Sequence, residues 1–363
     1  MDKQQEAVPT KGKNSRNVIL LILECLMLVL AVGVLYVVVR MTNEVSRSNI
    51  DEEHIIINEN VAEKMEEDVV NNAAQKKGYR NIALFGVDAR DGQLGKGTRS
   101  DSIIIASINM DTGAVKLVSV YRDTYLNLGN DSYNKCNTAY AQGGPEQAIN
   151  MLNSNLDLNI TDYITIGFGG LIEAIDALGG IDIEITESEI SHLNNYQLTM
   201  SEELGVDYTP VTEPGIQTLN GMQATAYCRI RYTKGDDFRR AERQRNVLGA
   251  MMVKAKDVSL SSLNEAVTAV LPSVKTSLNV NEVISVLGTI KDYEVVTSEG
   301  FPFGSTRTVA TIGAKGSCII PMDLEENVVL LHELLYEKEA YIPSKEVAGI
   351  SDEIEIQTQE YMN

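Results

Sequence analysis

Histidine and cysteine are scarce, with three and four copies in 363 residues. His54, His192 and His332 lie far apart without ligand spacing, and no CxxC pair occurs, so the sequence implies neither a His/Cys zinc site nor a disulfide framework. Cys25 falls inside an apolar run, leaving Cys136, Cys228 and Cys318 as an odd count; a Cys136–Cys228 bridge stays open at this level. Any metal is therefore expected on oxygen ligands, which favours Mg²⁺ or a similar hard cation. Cations are also outnumbered, 31 Lys and Arg against 51 Asp and Glu for a net charge of −20. A general polyanion binder would be basic overall, so a nucleic-acid partner is not expected. Internal repeats and low-complexity tracts are absent, and 44% hydrophobic residues suffice for one large core or two ordinary ones.

One long apolar run is present, Val18 to Val39, interrupted only by Glu24 and Cys25. As a helix it would cover roughly 33 Å, enough for a hydrocarbon core of about 30 Å. Lys3, Lys11, Lys13 and Arg16 precede it, which assigns residues 1–17 to a cytoplasmic tail and everything after the span to the outside. No small-residue cleavage site follows, so an uncleaved anchor is expected rather than a signal peptide. Residues 40–78 read as an acidic stalk with Ile57, Val61, Met65 and Val69 at four-residue steps. Residues 79–336 read as the folded domain, and the acidic residues 337–363 as a loosely ordered tail.

Against the acidic background, Arg229 to Arg245 holds six arginines and one lysine. A guanidinium makes paired, charge-assisted hydrogen bonds to phosphate, so the segment reads as a phosphate site. Alternation predicts an extended stretch over 226–232 that points Arg229 and Arg231 the same way. After a turn at Lys234 to Asp237, the spacing predicts a helix from Phe238 to about Lys256, with Val247, Leu248, Met251, Met252 and Ala255 as its apolar stripe. Stepping back from Leu248 at helical spacing places Gln244 and Arg240 on the inward face, where an unpaired charge is costly. A solvated basic helix end paired to Asp236, Asp237 and Glu242 accounts for this segment equally well.

The remaining elements alternate. Strands are predicted at 81–87, 102–108 and 115–120, the last two forming a hairpin across Met110 to Gly113. A helix from Pro145 to about Leu156, a strand at 163–167, a helix at 171–178 closed by Gly179-Gly180 and a strand at 181–185 follow. Residues 186–215 read as a long excursion, and helices recur near 281–290 and 324–335, the latter opened by Asp323 and Glu326. The pattern indicates a layered α/β domain with a mixed sheet. Acidic and basic residues meet at its strand ends: Asp88 and Arg90, Arg99 and Asp101, Arg122 and Asp123. Such ends commonly hold ligands, and Asp88 with Asp101 could share a Mg²⁺ that also touches phosphate. Singly, each residue is more often a turn former or surface pair; only their coincidence favours a site.

Several segments together resemble the LytR-CpsA-Psr family: GVDAR (86–90), TRSDS (98–102), SVYRDTYL (119–126), KCNTAY (135–140), GFGGLIEAIDALGGIDIEI (167–185), GIQTLNGMQATAYCRIRY (215–232) and GDDFRRAERQRNVL (235–248). The resemblance covers residues 80 to about 256 in the family's order. It implies a layered α-β-α domain on a single membrane anchor, in the cell envelope of a Gram-positive bacterium. It implies a phosphotransferase that moves a glycopolymer, such as teichoic acid or capsule, from a polyprenyl-pyrophosphate carrier to a peptidoglycan sugar hydroxyl. It also implies Asp88 and Asp101 as ligands of Mg²⁺ or Mn²⁺, and Arg99, Arg122, Arg229, Arg231, Arg240 and Gln244 as a pyrophosphate cradle, joined by Lys135. Asp88 and Asp123 are candidate bases, and the polyprenyl tail would need an apolar tunnel in the core. Departures are Tyr121 for the family's usual proline, Cys136 and Thr138 around Asn137, and Arg239 for a glycine; Arg239 adds a cation without an assigned task. The rival readings are a lipid-phosphate-binding scaffold, a pyrophosphatase acting with water, and a DNA-binding regulator, which the charge and topology disfavour.

Overall fold

The computed structural model describes residues 46–47, 54–63, 78–88, 94–231, 236–337 and 340–361. The predicted membrane span lies outside them, and among the described residues no helix is long and apolar enough to cross a membrane. One compact unit begins at Ser46.

Its centre is a seven-stranded sheet. In chain order the contributing strands are β1 (Ser46–Arg47), β2 (Tyr79–Val87), β3 (Ser100–Asn109), β4 (Ala114–Val120), β7 (Asp162–Gly167), β10 (Val274–Thr276) and β11 (Glu294–Phe301). Between them lie β5 (Tyr125–Asn127), β6 (Tyr133–Lys135), β8 (Ile181–Ile185) and β9 (Gly215–Leu219), while β12 (Arg307–Ile312) and β13 (Gly316–Pro321) follow. The sheet order is β1-β10-β7-β2-β3-β4-β11, with β7 and β11 parallel to β2 and β4, and β3 antiparallel to both β2 and β4. The sheet is therefore mixed, as expected.

The helices are α1 (Asn137–Leu156), α2 (Phe168–Ala177), α3 (Glu187–Leu204), α4 (Gly221–Arg229), α5 (Asp236–Asp257), α6 (Leu260–Val270), α7 (Val280–Gly288), α8 (Leu324–Tyr336) and α9 (Lys345–Thr358). Alternation along the strands divides the core between two faces. Phe85, Ile103, Ile105, Val118 and Val120 pack with Ile149 and Leu152 of α1 and with residues of α8 and α9. Leu84, Ile104, Ala106, Val115 and Leu117 turn the other way, toward Leu248 and Met252 of α5. Layers of helix, sheet and helix follow from that pattern alone.

Four expectations change. The C-terminal segment is ordered: α9 is capped by Ser344 and buries Val347, Ile350 and Ile354 in the main core. These sit at helical spacing among acidic neighbours, so composition hid a short amphipathic stripe. The supposed excursion over 186–215 contains α3, opened by a capping box between Thr186 and Glu189. Residues 226–229 are not extended; they finish α4, whose Gly221 to Cys228 are all buried. A helix buried all round carries no 3.6-residue stripe, so alternation there misled. The stalk is also partly docked: Asn150 and Asn153 of α1 bind the backbone of His54 and Ile56. Compact folding therefore begins before Tyr79.

Candidate functional site

A β-bulge makes the first part of the site. Gly86 pairs with Ser102 but Val87 pairs with Ser100, so Asp101 is the extra residue between them. Such an insertion re-aims a side chain out of the ladder. Arg122, two residues past the end of β4, donates from Nη1 to Asp101 Oδ1 at 2.6 Å. Its loop is held by Asn137 N–H on the Arg122 carbonyl at 3.1 Å and by the Cys136 thiol on the Tyr121 carbonyl at 3.1 Å. Cys136 is completely buried and burial pushes its thiol pKa up, so it acts as a structural donor. Cys136, Cys228 and Cys318 are all unbridged.

Around Arg122 the charges form one network. Arg122 Nε lies 3.6 Å from Asp123, whose other oxygen is 3.1 Å from Lys135 Nζ. Asp237, at the start of α5, lies 3.9 Å from Arg122 and 3.1 Å from Arg240. Arg231 Nη2 comes to 3.9 Å from Asp101. Burial works against the charge on Arg122, but Asp101, Asp123 and Asp237 outweigh it and hold its pKa above the ordinary value.

Arg240 has the opposite balance. It is 4% exposed, and burial together with the nearby Arg122 and Arg231 pushes its pKa down to about 10, against the pull of Asp237 and Asp101. Its Nε and Nη1 are buried without a hydrogen-bond partner, as is Arg122 Nε. Each such group costs about 1–3 kcal/mol, more when charged, unless something else bonds to it. With Asp101, Arg122, Asp123, Asp237 and Gln244, Arg240 lines one pocket. The donors left over in this pocket, all on guanidinium groups, have the chemistry to bind an anion.

The sequence-predicted residues therefore divide. Asp101, Arg122, Asp123, Lys135, Arg231, Arg240 and Gln244 come together through the contacts above or as pocket lining. Asp88 and Arg99 stand exposed at the adjoining ends of β2 and β3. Arg229 has its guanidinium 4.7 Å from the Phe168 ring and 5.5 Å from the Tyr196 ring, with Nη1 buried and unpartnered. Two contributors were not foreseen. Asp237 was read only as a charge neutraliser for a solvated helix, yet it bridges Arg122 and Arg240. Glu189 binds Arg243 Nε at 2.7 Å, and Arg243 Nη1 donates to the Ile230 carbonyl at 3.1 Å, tying α3 and α5 to the residue before Arg231. The Thr186-x-x-Glu189 spacing is a capping-box signal that the reading of 186–215 as an excursion overlooks, and the long-range pairing to Arg243 leaves no local signal.

Among the described residues no group of three or more His, Cys, Asp or Glu side chains could enclose a metal ion. Mg²⁺, however, is ordinarily held by one or two carboxylates with substrate phosphates and water completing its shell. Asp101 and Asp88, on adjoining strand ends, are a donor set of that kind.

Behind the charged pocket, α5 changes character. One turn after Gln244, Leu248 enters an apolar cavity of about 430 Å³ between the sheet and helices α5, α6 and α7. Leu84 and Leu117 form its sheet wall, Met252 and Ala255 continue the α5 wall, and Leu263 and Val283 close the far side. Arg240, Gln244, Leu248, Met252 and Ala255 follow one face of α5 at helical steps, so polar pocket and apolar cavity share a wall.

The LytR_cpsA_psr family model matches residues 41–310, about three-quarters of the sequence. The chain belongs to the LytR-CpsA-Psr family. Among curated relatives, the polyisoprenyl-teichoic acid–peptidoglycan teichoic acid transferase TagU of Enterococcus faecalis is 35% identical over 206 residues, covering 56% of this chain and 62% of the relative. The chain thus spans about six-tenths of that relative's length. Solved LytR-CpsA-Psr structures share the fold. Bacillus subtilis TagV aligns with a TM-score of 0.55 at 24% identity over 74% of this chain and all of that one. YwtF (TagT) with bound octaprenyl pyrophosphate lipid aligns with a TM-score of 0.50 at 18% identity over 77% and 90%.

Proposed function

We propose that this protein is a membrane-anchored phosphotransferase that moves a glycopolymer from a polyprenyl-pyrophosphate carrier to a sugar hydroxyl of peptidoglycan. The observation that carries the reading is the single face of α5 on which Arg240 and Gln244 serve an anion pocket and Leu248, Met252 and Ala255 serve an apolar cavity. A ligand matching both has a compact, highly charged head and a long hydrocarbon tail. A polyprenyl pyrophosphate has that form. The family membership and the bound lipid named for YwtF support the same choice.

Transfer to a sugar needs in-line positioning and charge neutralisation more than covalent catalysis. Arg122 and Arg240 would grip the pyrophosphate oxygens, with Arg231 and Arg99 at the rim and Lys135 steadying Asp123. The acceptor oxygen attacks the sugar-linked phosphorus; the new O–P bond forms as the bridging O–P bond breaks, and polyprenyl phosphate leaves. The 6-hydroxyl of N-acetylmuramic acid is the proposed acceptor. Asp88 and Asp123 are the two carboxylates proposed to accept the hydroxyl proton; Asp123 has its oxygens turned to Arg122 and Lys135, and Asp88 would share its own with the metal. Asp101 and Asp88 are the residues that would hold Mg²⁺ or Mn²⁺, which when bound supplies neutralisation of the phosphoryl charge. The domain is proposed to face the outside of a Gram-positive cell, with residues 18–39 as its single anchor.

Mass spectrometry of the gently purified chain tests the lipid half of this reading. A copurifying polyprenyl phosphate or pyrophosphate is expected, and its absence from protein that also fails to take up added octaprenyl pyrophosphate would refute it. A non-catalytic scaffold would bind the lipid equally well, so turnover by Asp101→Ala separates the two.

A further inference from the structure

Two arginines of the cationic segment, Arg239 and Arg245, take no part in the pyrophosphate pocket. Both turn to the opposite flank of α5, into a groove of about 520 Å³ bounded by β8, the start of α3 and the edge strand β11. Arg245 is 6% exposed; its Nε donates to Ser298 Oγ at 2.8 Å, while Nη1 is buried and has no hydrogen-bond partner. Arg239 is exposed at the rim and pairs with Glu242 at 2.8 Å. The wall also carries exposed Asn246 and Thr186. Its floor is opened by Gly249, inside α5, where an added Cβ would meet no atom within 4 Å. A glycine in a helix interior sacrifices helix propensity, and here it leaves room for something to approach the backbone.

From these observations we infer that the groove is the binding site for the acceptor glycan, an uncharged N-acetylated amino-sugar strand. The inference rests on the transferase reading above. The charge decides the ligand class. Asp182, Glu184 and Glu189 on one side and Glu242 beside Arg239, Arg243 and Arg245 on α5 line the groove and its extension, four carboxylates with three guanidiniums. A polyanionic glycopolymer gains nothing from that lining, whereas sugar hydroxyls and acetamido groups find both donors and acceptors on it. The volume lies in the range of saccharide-sized ligand sites. Position supports the same assignment. Arg239 in the groove and Arg240 in the pyrophosphate pocket are consecutive on α5, so a strand lying across the helix, about 10–12 Å wide, spans from groove to reacting phosphate.

The test uses the full chain in detergent micelles, a chitin tetrasaccharide as neutral probe and polyglycerol phosphate as anionic probe. The tetrasaccharide is expected to bind and polyglycerol phosphate is not. Gly249→Trp, which fills open space, should abolish tetrasaccharide binding and raise the KM for acceptor at least tenfold, with kcat and octaprenyl pyrophosphate binding unchanged. Arg245→Gln should weaken the tetrasaccharide about tenfold. Equal binding by wild type and Gly249→Trp, no binding by wild type, or preference for polyglycerol phosphate would each overturn the inference. Loss of octaprenyl pyrophosphate binding by the wild type, with tetrasaccharide binding intact, would instead strike the transferase reading and leave the groove standing.

Discussion

Arg122 and Asp101 form the tightest ion pair of the pocket, Nη1 to Oδ1 at 2.6 Å, between the end of β4 and the bulge of β3. The pair holds a guanidinium in place before any ligand arrives. It also means that an incoming pyrophosphate and Asp101 compete for the same cation. Replacement of Arg122 by Ala should lower transfer by about 100-fold or more, the usual cost of removing a preorganised donor at a phosphoryl centre. Because three carboxylates lose their cation together, a moderate fall in Tm is expected as well. Unchanged transfer with a lower Tm would make Arg122 a structural residue.

Arg240 should behave differently. It carries a buried charge with two unpartnered nitrogens, so Arg240→Gln should raise the Tm of the ligand-free protein while removing pyrophosphate binding. The depressed pKa gives the direction: burial and the neighbouring Arg122 and Arg231 disfavour the charged guanidinium in the fold, so removing that charge should stabilise the ligand-free protein. The sign follows from the direction. A cation whose folded pKa is lowered destabilises the fold at every pH below that value, and the penalty fades as pH rises above about 10 toward the ordinary arginine range. Thermal melts of wild type and variant, each with and without octaprenyl pyrophosphate, check this. A lower Tm for the ligand-free variant would contradict it.

Metal removal gives a third test. With Asp101 and Asp88 as oxygen donors, a chelator should abolish transfer and added Mg²⁺ or Mn²⁺ should restore it. Lipid binding should survive chelation better than turnover does, because the arginines grip pyrophosphate unaided. Full transfer in excess EDTA, or by Asp101→Ala, would show that the metal assignment is wrong.

The apolar cavity predicts a dependence on chain length. Met252→Asp places a carboxylate on the α5 wall, and Leu117→Trp fills the sheet side. Either should weaken long polyprenyl donors at least tenfold and leave a short-chain donor, reaching only the polar pocket, nearly unaffected. Equal loss for both donors would point to general unfolding.

Much of this was legible in the sequence, for physical reasons that differ by element. Strands β2, β3, β4 and β7 announce themselves as apolar runs bounded by turns, whereas β1, β10 and β11 are too short or too polar to read as strands. The α5 stripe was readable because one face is dry and the other wet, and stepping back along it led to Gln244 and Arg240. The end of α4 was not readable, since a short helix buried on every side shows no preferred face. Helix α9 was hidden for a different reason: it has a core face, but Val347, Ile350 and Ile354 are few and set among acidic residues. Asp237 shows the limit for sites. Local charge pairing with Arg240 was visible at three-residue spacing, but its approach to Arg122, far away in sequence, depends on how α5 is laid against β4.

The most direct measurement follows both products of one turnover. The purified full chain is given Mg²⁺, a polyprenyl-pyrophosphate donor with a labelled glycan, and isolated peptidoglycan. The account predicts label joined to peptidoglycan through a phosphodiester and one polyprenyl phosphate released for each linkage formed. Release of polyprenyl phosphate with all label on free sugar phosphate, meaning that water is the acceptor, would contradict it, as would stable lipid binding without turnover.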